Sequence, residues 1–176
     1  MLALDQFLAS VQCRALRIAE LSLKDRDDAL DALQDAMLRF AERYAHKPEP
    51  EWPPLFYRIL YNRITDMQRA TQRKRGLFSS LFTPAQDAMA EADPLAAVAD
   101  LAPSDPARLG DSEAFAEALE AALQTLPERQ RQAFLLREWE GLDVNATATA
   151  MHCSEGSVKT HLSRAKQRLQ QALREF

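Results

Sequence analysis

The sequence predicts an all-α chain of two small helical domains, residues 1–75 and 113–176, joined by a flexible acidic linker at 76–112. Three observations carry this. Apolar residues recur at helical spacing through nearly all of the chain outside its middle. The middle is rich in Ala, Pro and Asp and has no core of its own. Near the end, two helical segments are separated by three residues, and the second is basic.

Residues 2–23 place Leu4, Phe7, Leu8, Val11, Leu16 and Ile18 at helical intervals, and KDRDD breaks the run while offering N-cap residues. A second helix is expected from about Asp27 to Tyr44, with Leu30, Leu33, Met37, Phe40 and Ala41 inward. HKPEPEWPP holds four prolines in nine residues and reads as a stiff loop. A third helix is expected after Pro53-Pro54, with Leu55, Ile59, Leu60 and Ile64 facing a core. Past the linker, whose head carries the apolar cluster Phe78, Leu81 and Phe82, Asp111 or Ser112 should cap EAFAEALEAALQTL. LPERQ then opens a helix running to about Glu140, and Gly141 stops it. A short helix covers Val144 to Met151, His152-Cys153-Ser154 forms the turn, and a last helix begins at Glu155 with Ser154 as N-cap.

The net charge of -4 argues against an indiscriminate nucleic-acid coat, but charge is strongly partitioned. Between Phe56 and Arg75 there are six bases and one acid; between Thr83 and Leu123 there are nine acids and one base. No apolar run nears the roughly 20 residues of a membrane span, and the first residues lack a signal-peptide layout. A cytoplasmic protein with no membrane insertion of its own is expected. Cys13 and Cys153 read as reduced thiols; zinc held by His152, Cys153 and His161 would need poorly spaced ligands, so neither metal nor cofactor is expected. Walker glycines, GxSxG and a nucleophile with a His-acid pair are all missing, so the chain does not read as an enzyme.

Two segments carry nucleic-acid chemistry. In the last helix Val158, Leu162, Ala165 and Leu169 form one apolar stripe, with Lys159, Arg164, Lys166 and Arg168 around it. Two helices, a three-residue turn and a basic second helix match the helix-turn-helix, which lays its second helix in the major groove. Trp52 in the proline-rich loop, and Tyr57 and Tyr61 in the third helix, stand among arginines. Flat rings stack on unpaired bases at roughly 1–3 kcal/mol each while guanidinium groups hold the backbone. Phe56 and one tyrosine should be core, leaving Trp52 and its loop available to DNA.

LPERQRQAFLLREWEGL followed by CSEGSVKTHLSRAKQRL resembles region 4 of the extracytoplasmic-function sigma factors, the small initiation subunits of bacterial RNA polymerase. DALDALQDAMLRF is similar to their region 2.2 and FYRILYNRITD to their region 2.3 to 2.4 helix. The resemblance implies a region 2-like domain at 1–75 and a region 4-like domain at 113–176. It implies core-polymerase contact through Asp28, Asp31, Gln34, Asp35 and Arg39, with Leu30 where the family has its second acid. It implies minus-10 DNA contact through Tyr44, Trp52, Arg58, Tyr61, Asn62, Arg63 and Arg69. It implies minus-35 contact through Ser157, Lys159, Thr160, His161, Ser163 and Arg164. Core RNA polymerase, promoter DNA and an anti-sigma factor are the implied partners, and the linker would thread through the polymerase. Two other readings stay open: a stand-alone regulator using only the C-terminal motif, and a helical adaptor that binds no nucleic acid.

Overall fold

Alternating small and large apolar residues decide how the first three helices meet. The computed structural model of the chain describes residues 2–76 and 113–174, and every regular element among them is helical. The linker, the expected cap at Asp111 or Ser112 and the apolar cluster at Phe78, Leu81 and Phe82 lie outside the described residues.

Helix α1 spans Leu2–Leu23 and buries Val11, Ala15, Ile18 and Ser22 at steps of four, three and four. Lys24 closes it in the left-handed region at φ 59°. Asp25 then caps α2 (Arg26–Tyr44), its carboxylate accepting from the Asp28 amide at 2.9 Å. Helix α2 buries Ala29, Ala32 and Ala36, so α1 and α3 approach closely, and Phe40 fills the wider end. The proline-rich segment is not wholly loop: Glu49–Glu51 forms a 3-10 turn, and α3 (Trp52–Gly76) starts three residues earlier than expected. Pro53 and Pro54 sit in its first turn, where the missing N–H has no partner to lose.

The C-terminal unit comprises α4 (Glu113–Thr125), α5 (Glu128–Phe134), α6 (Val144–Met151) and α7 (Glu155–Ala172). Between α5 and α6 the chain does not continue as a plain α-helix to Glu140. Leu135–Trp139 is a π turn, in which the Glu140 amide donates to the Leu135 carbonyl at 3.0 Å. Gly141 follows at φ +70°, which a glycine adopts without strain. Leu135, Leu136, Met151, Val158, Ala165 and Leu169 make this unit's core.

The two units pack together, α3 against α6 and α1 against α4. None of the described helices is long and apolar enough to cross a membrane.

Candidate nucleic-acid interface

The helix-turn-helix is built from its turn outward. Asp143 caps α6 by accepting from the Ala146 amide at 2.7 Å. Ala148, only 8 % exposed, leaves room for α7 to cross close by. The turn demands a left-handed residue, and His152 supplies it at φ 54°, exposed, where glycine would be the unstrained choice. Ser154 caps α7, accepting from the Ser157 amide at 3.1 Å.

On α7 the apolar stripe is buried through Val158, Ala165 and Leu169, with Leu162 half-buried. Lys159, Thr160, Ser163 and Arg164 all face solvent. The Thr160 hydroxyl donates to the Gly156 carbonyl at 3.0 Å, and Ser157 shares a hydroxyl contact with Ser154 at 2.9 Å. His161 is half-buried; burial, then Arg129 and Arg164, push its imidazole below its ordinary pKa and keep it neutral.

Arg129 was not singled out by the sequence reading. Its guanidinium donates to the Met151 carbonyl at 2.7 Å, fastening α5 to the turn, and lies near His161. Its position just after Leu126-Pro127-Glu128, in the first turn of α5, was the available signal. Lys166 pairs with Glu138 at 2.8 Å and so ties α7 to the π turn.

The α3 surface differs from expectation. Trp52, expected to be open to a base, is 6 % exposed, and its indole N–H donates to the Lys47 carbonyl at 2.8 Å. It belongs to an aromatic cluster with Phe7, at a ring separation of 5.5 Å, and with Phe40 at 6.3 Å. The start of α3 at Trp52 itself turns this ring inward. Both tyrosines are buried rather than one: Tyr57 is 1 % and Tyr61 4 % exposed. Their hydroxyls lie against the C-terminal unit, and burial, then Glu140 for Tyr57 and Glu128 for Tyr61, drives both far above the ordinary phenol range.

Arg58 is half-buried and lines an open cleft of about 570 Å³ with Asn145, Thr149, His152 and Glu155 across the two units. Asn62 and Arg69 are exposed. Tyr44 is half-buried and stacked on Phe40 at 6.1 Å.

Arg63 pairs with Asp35 at 2.7 Å, so the structure joins one residue from the expected DNA set to one from the expected polymerase set. Asp31, Gln34 and Arg39 are exposed on α2, and Asp28 and Asp35 are half-buried. Leu38, 63 % exposed on the same helix, is a large apolar residue that the sequence reading passed over.

His152, Cys153 and His161 form no zinc site; no group of three or more His, Cys, Asp or Glu among the described residues is gathered for a metal. Burial raises the Cys153 thiol pKa, which keeps it protonated.

Residues 116–169 match the family described as Sigma-70, region 4. The chain is 30 % identical over 176 residues to the ECF RNA polymerase sigma factor SigM of Mycobacterium tuberculosis, covering 97 % of this chain and 77 % of that protein. It is 27 % identical to the RNA polymerase sigma-H factor of Pseudomonas aeruginosa, covering 97 % and 86 %. Its fold is similar to that of the sigma factor RpoE from Bartonella quintana, solved in complex with the anti-sigma factor NepR. The TM-score is 0.68 at 22 % identity, over 99 % of this chain and 98 % of that one. With its capped helix-turn-helix and its likeness over the whole length to such proteins, the chain belongs to the ECF sigma factors, which direct RNA polymerase to promoters.

Proposed function

We propose a division of labour within this sigma factor. Residues 113–176 read the minus-35 element, residues 1–75 bind core polymerase and meet the minus-10 element, and 76–112 link them. The observation that carries it is the capped α7, which buries Val158, Ala165 and Leu169 and leaves Lys159, Thr160, Ser163 and Arg164 in solvent along one face. That is the side-chain set a recognition helix brings to base edges, with Ser157 and His161 beside it.

On α2, Asp31, Gln34, Asp35 and Arg39, together with Asp28 and the exposed Leu38, form a mixed acidic and apolar surface suited to a protein partner. On α3, Arg58, Asn62, Arg63 and Arg69 supply backbone and base contacts, with Tyr44 at the neighbouring end of α2. Tyr61 joins them only when the C-terminal unit is displaced. Trp52 supports that surface from within. The protein works in the cytoplasm by binding, with no catalytic step, and an anti-sigma factor is its natural regulator.

The test is capture on core RNA polymerase. Wild-type chain should be retained stoichiometrically, and Asp31→Lys should lose retention while its circular dichroism spectrum stays helical, because Asp31 is exposed. Retention of the variant at wild-type level would remove α2 from the interface. Failure of the wild-type chain to bind core would favour a stand-alone regulator.

A further inference from the structure

The contact between the two units has an unusual composition. Glu140 leaves the π turn with its side chain only 2 % exposed, and it reaches across to α1, where the Arg14 Nε–H is shared between both carboxylate oxygens at 3.1 Å. Tyr57 of α3 lies beside the same carboxylate. Arg17 of α1 pairs with Glu120 of α4 alongside. Two buried hydroxyls face the C-terminal unit without a hydrogen-bond partner, that of Tyr57 near Glu140 and that of Tyr61 near Glu128 and Arg131.

A buried polar group left without a partner is costly, and interfaces keep few of them. Two charge contacts join the units beside these groups, Arg14 with Glu140 and Arg17 with Glu120, and Glu140 is the more deeply buried of the two carboxylates. What this interface covers is the Tyr57, Arg58 and Tyr61 side of α3.

We infer that Glu140 is an intramolecular latch. Seated between Arg14 and Tyr57, it holds the C-terminal unit over the α3 face and shields that face from single-stranded promoter DNA in the free protein. The shield rests on the proposed reading of α3 as the minus-10 surface; the latch itself does not. Glu140 directly follows the π turn, its amide donating to the Leu135 carbonyl while its carboxylate reaches Arg14 of α1. Removing the carboxylate leaves Arg14 without its partner and favours separation. Arg14 is half exposed and recovers its hydration on opening, which adds to that bias.

The experiment uses the full chain and two readouts. Small-angle scattering of the free protein measures compaction. Titration of a fluorescent single-stranded DNA carrying a minus-10 sequence measures access to α3. Glu140→Lys and, from the other unit, Arg14→Glu should each expand the particle and tighten oligonucleotide binding about tenfold. That is the gain expected if the open form is about a tenth of the free population. The exchanged pair R14E/E140R should restore compaction and weak binding, which a merely misfolded single variant would not allow. An unchanged radius of gyration in both single variants would overturn the latch. Expansion without tighter DNA binding would leave the latch standing and overturn both the shield and the α3 reading.

Discussion

Helices α7 and α3 both carry basic residues over an apolar stripe, yet they present themselves in opposite ways. On α7 only one side is packed, and Lys159, Thr160, Ser163 and Arg164 meet solvent. On α3 two sides are packed: Phe56, Leu60 and Ile64 face α1 and α2, while Tyr57 and Tyr61 lie under the C-terminal unit. One basic surface stands open, and the other lies partly under the C-terminal unit, with Tyr57 and Tyr61 buried and Asn62 and Arg69 still exposed. A helix with two buried sides leaves its partner surface to be exposed by a rearrangement, whereas a helix with one buried side is ready as it stands.

The sharpest way to test the α3 half of this contrast is Trp52→Ala. As a core residue, Trp52 should cost about 3–5 kcal/mol of stability on truncation, read from urea unfolding. A change confined to DNA affinity, with stability intact, would return Trp52 to the surface role its neighbours suggested. For α7, Arg164→Ala should weaken promoter binding by the polymerase complex by about 1–3 kcal/mol and relax preference at one base pair. Equal loss on every sequence would make Arg164 a phosphate contact only.

Ser154→Ala should cost about 1 kcal/mol of stability by removing the cap that starts α7, and thermal unfolding would show it. The smallest effect concerns His161. Its folded-state pKa lies below the ordinary value, so the unfolded chain binds more protons in the interval between the two. Its contribution to stability is therefore present above about pH 6.5 and declines as pH falls through that value toward the depressed pKa. His161→Gln should flatten this part of the stability profile. An unchanged slope would mean that neither burial nor Arg129 and Arg164 depress its pKa.

These contrasts also explain what was legible in the sequence. The capped ends at Asp25 and Ser154, the stop at Gly141 and the stripe of α7 are encoded by neighbours within a few residues. They were readable for that reason. The left-handed turn was foreseeable as a geometric need, although His152 fills it. The site was less legible where burial comes from far away in the chain. Tyr57 and Tyr61 are covered by α5, α6 and the π turn, more than 60 residues later, and nothing local in FYRILYNRITD reports that. Rings that would stack on bases and rings that pack at an interface are the same residues in the same order. The π turn escaped for another reason: LLREW has ordinary helical composition, and nothing local in it marks the shift of the Glu140 amide to the Leu135 carbonyl.

The placement of the two tryptophans has an optical consequence. Trp52 sits inside the N-terminal aromatic cluster, whereas Trp139 is 42 % exposed in a groove between the units, lined by Arg17, Leu21, Leu119 and Glu120. Emission from Trp52 should be blue-shifted and protected from iodide, and emission from Trp139 should be red-shifted and quenchable. The unlabelled chain thus contains one fluorophore that follows melting of its N-terminal core and another that follows movement between its units, and the two signals are separable by wavelength.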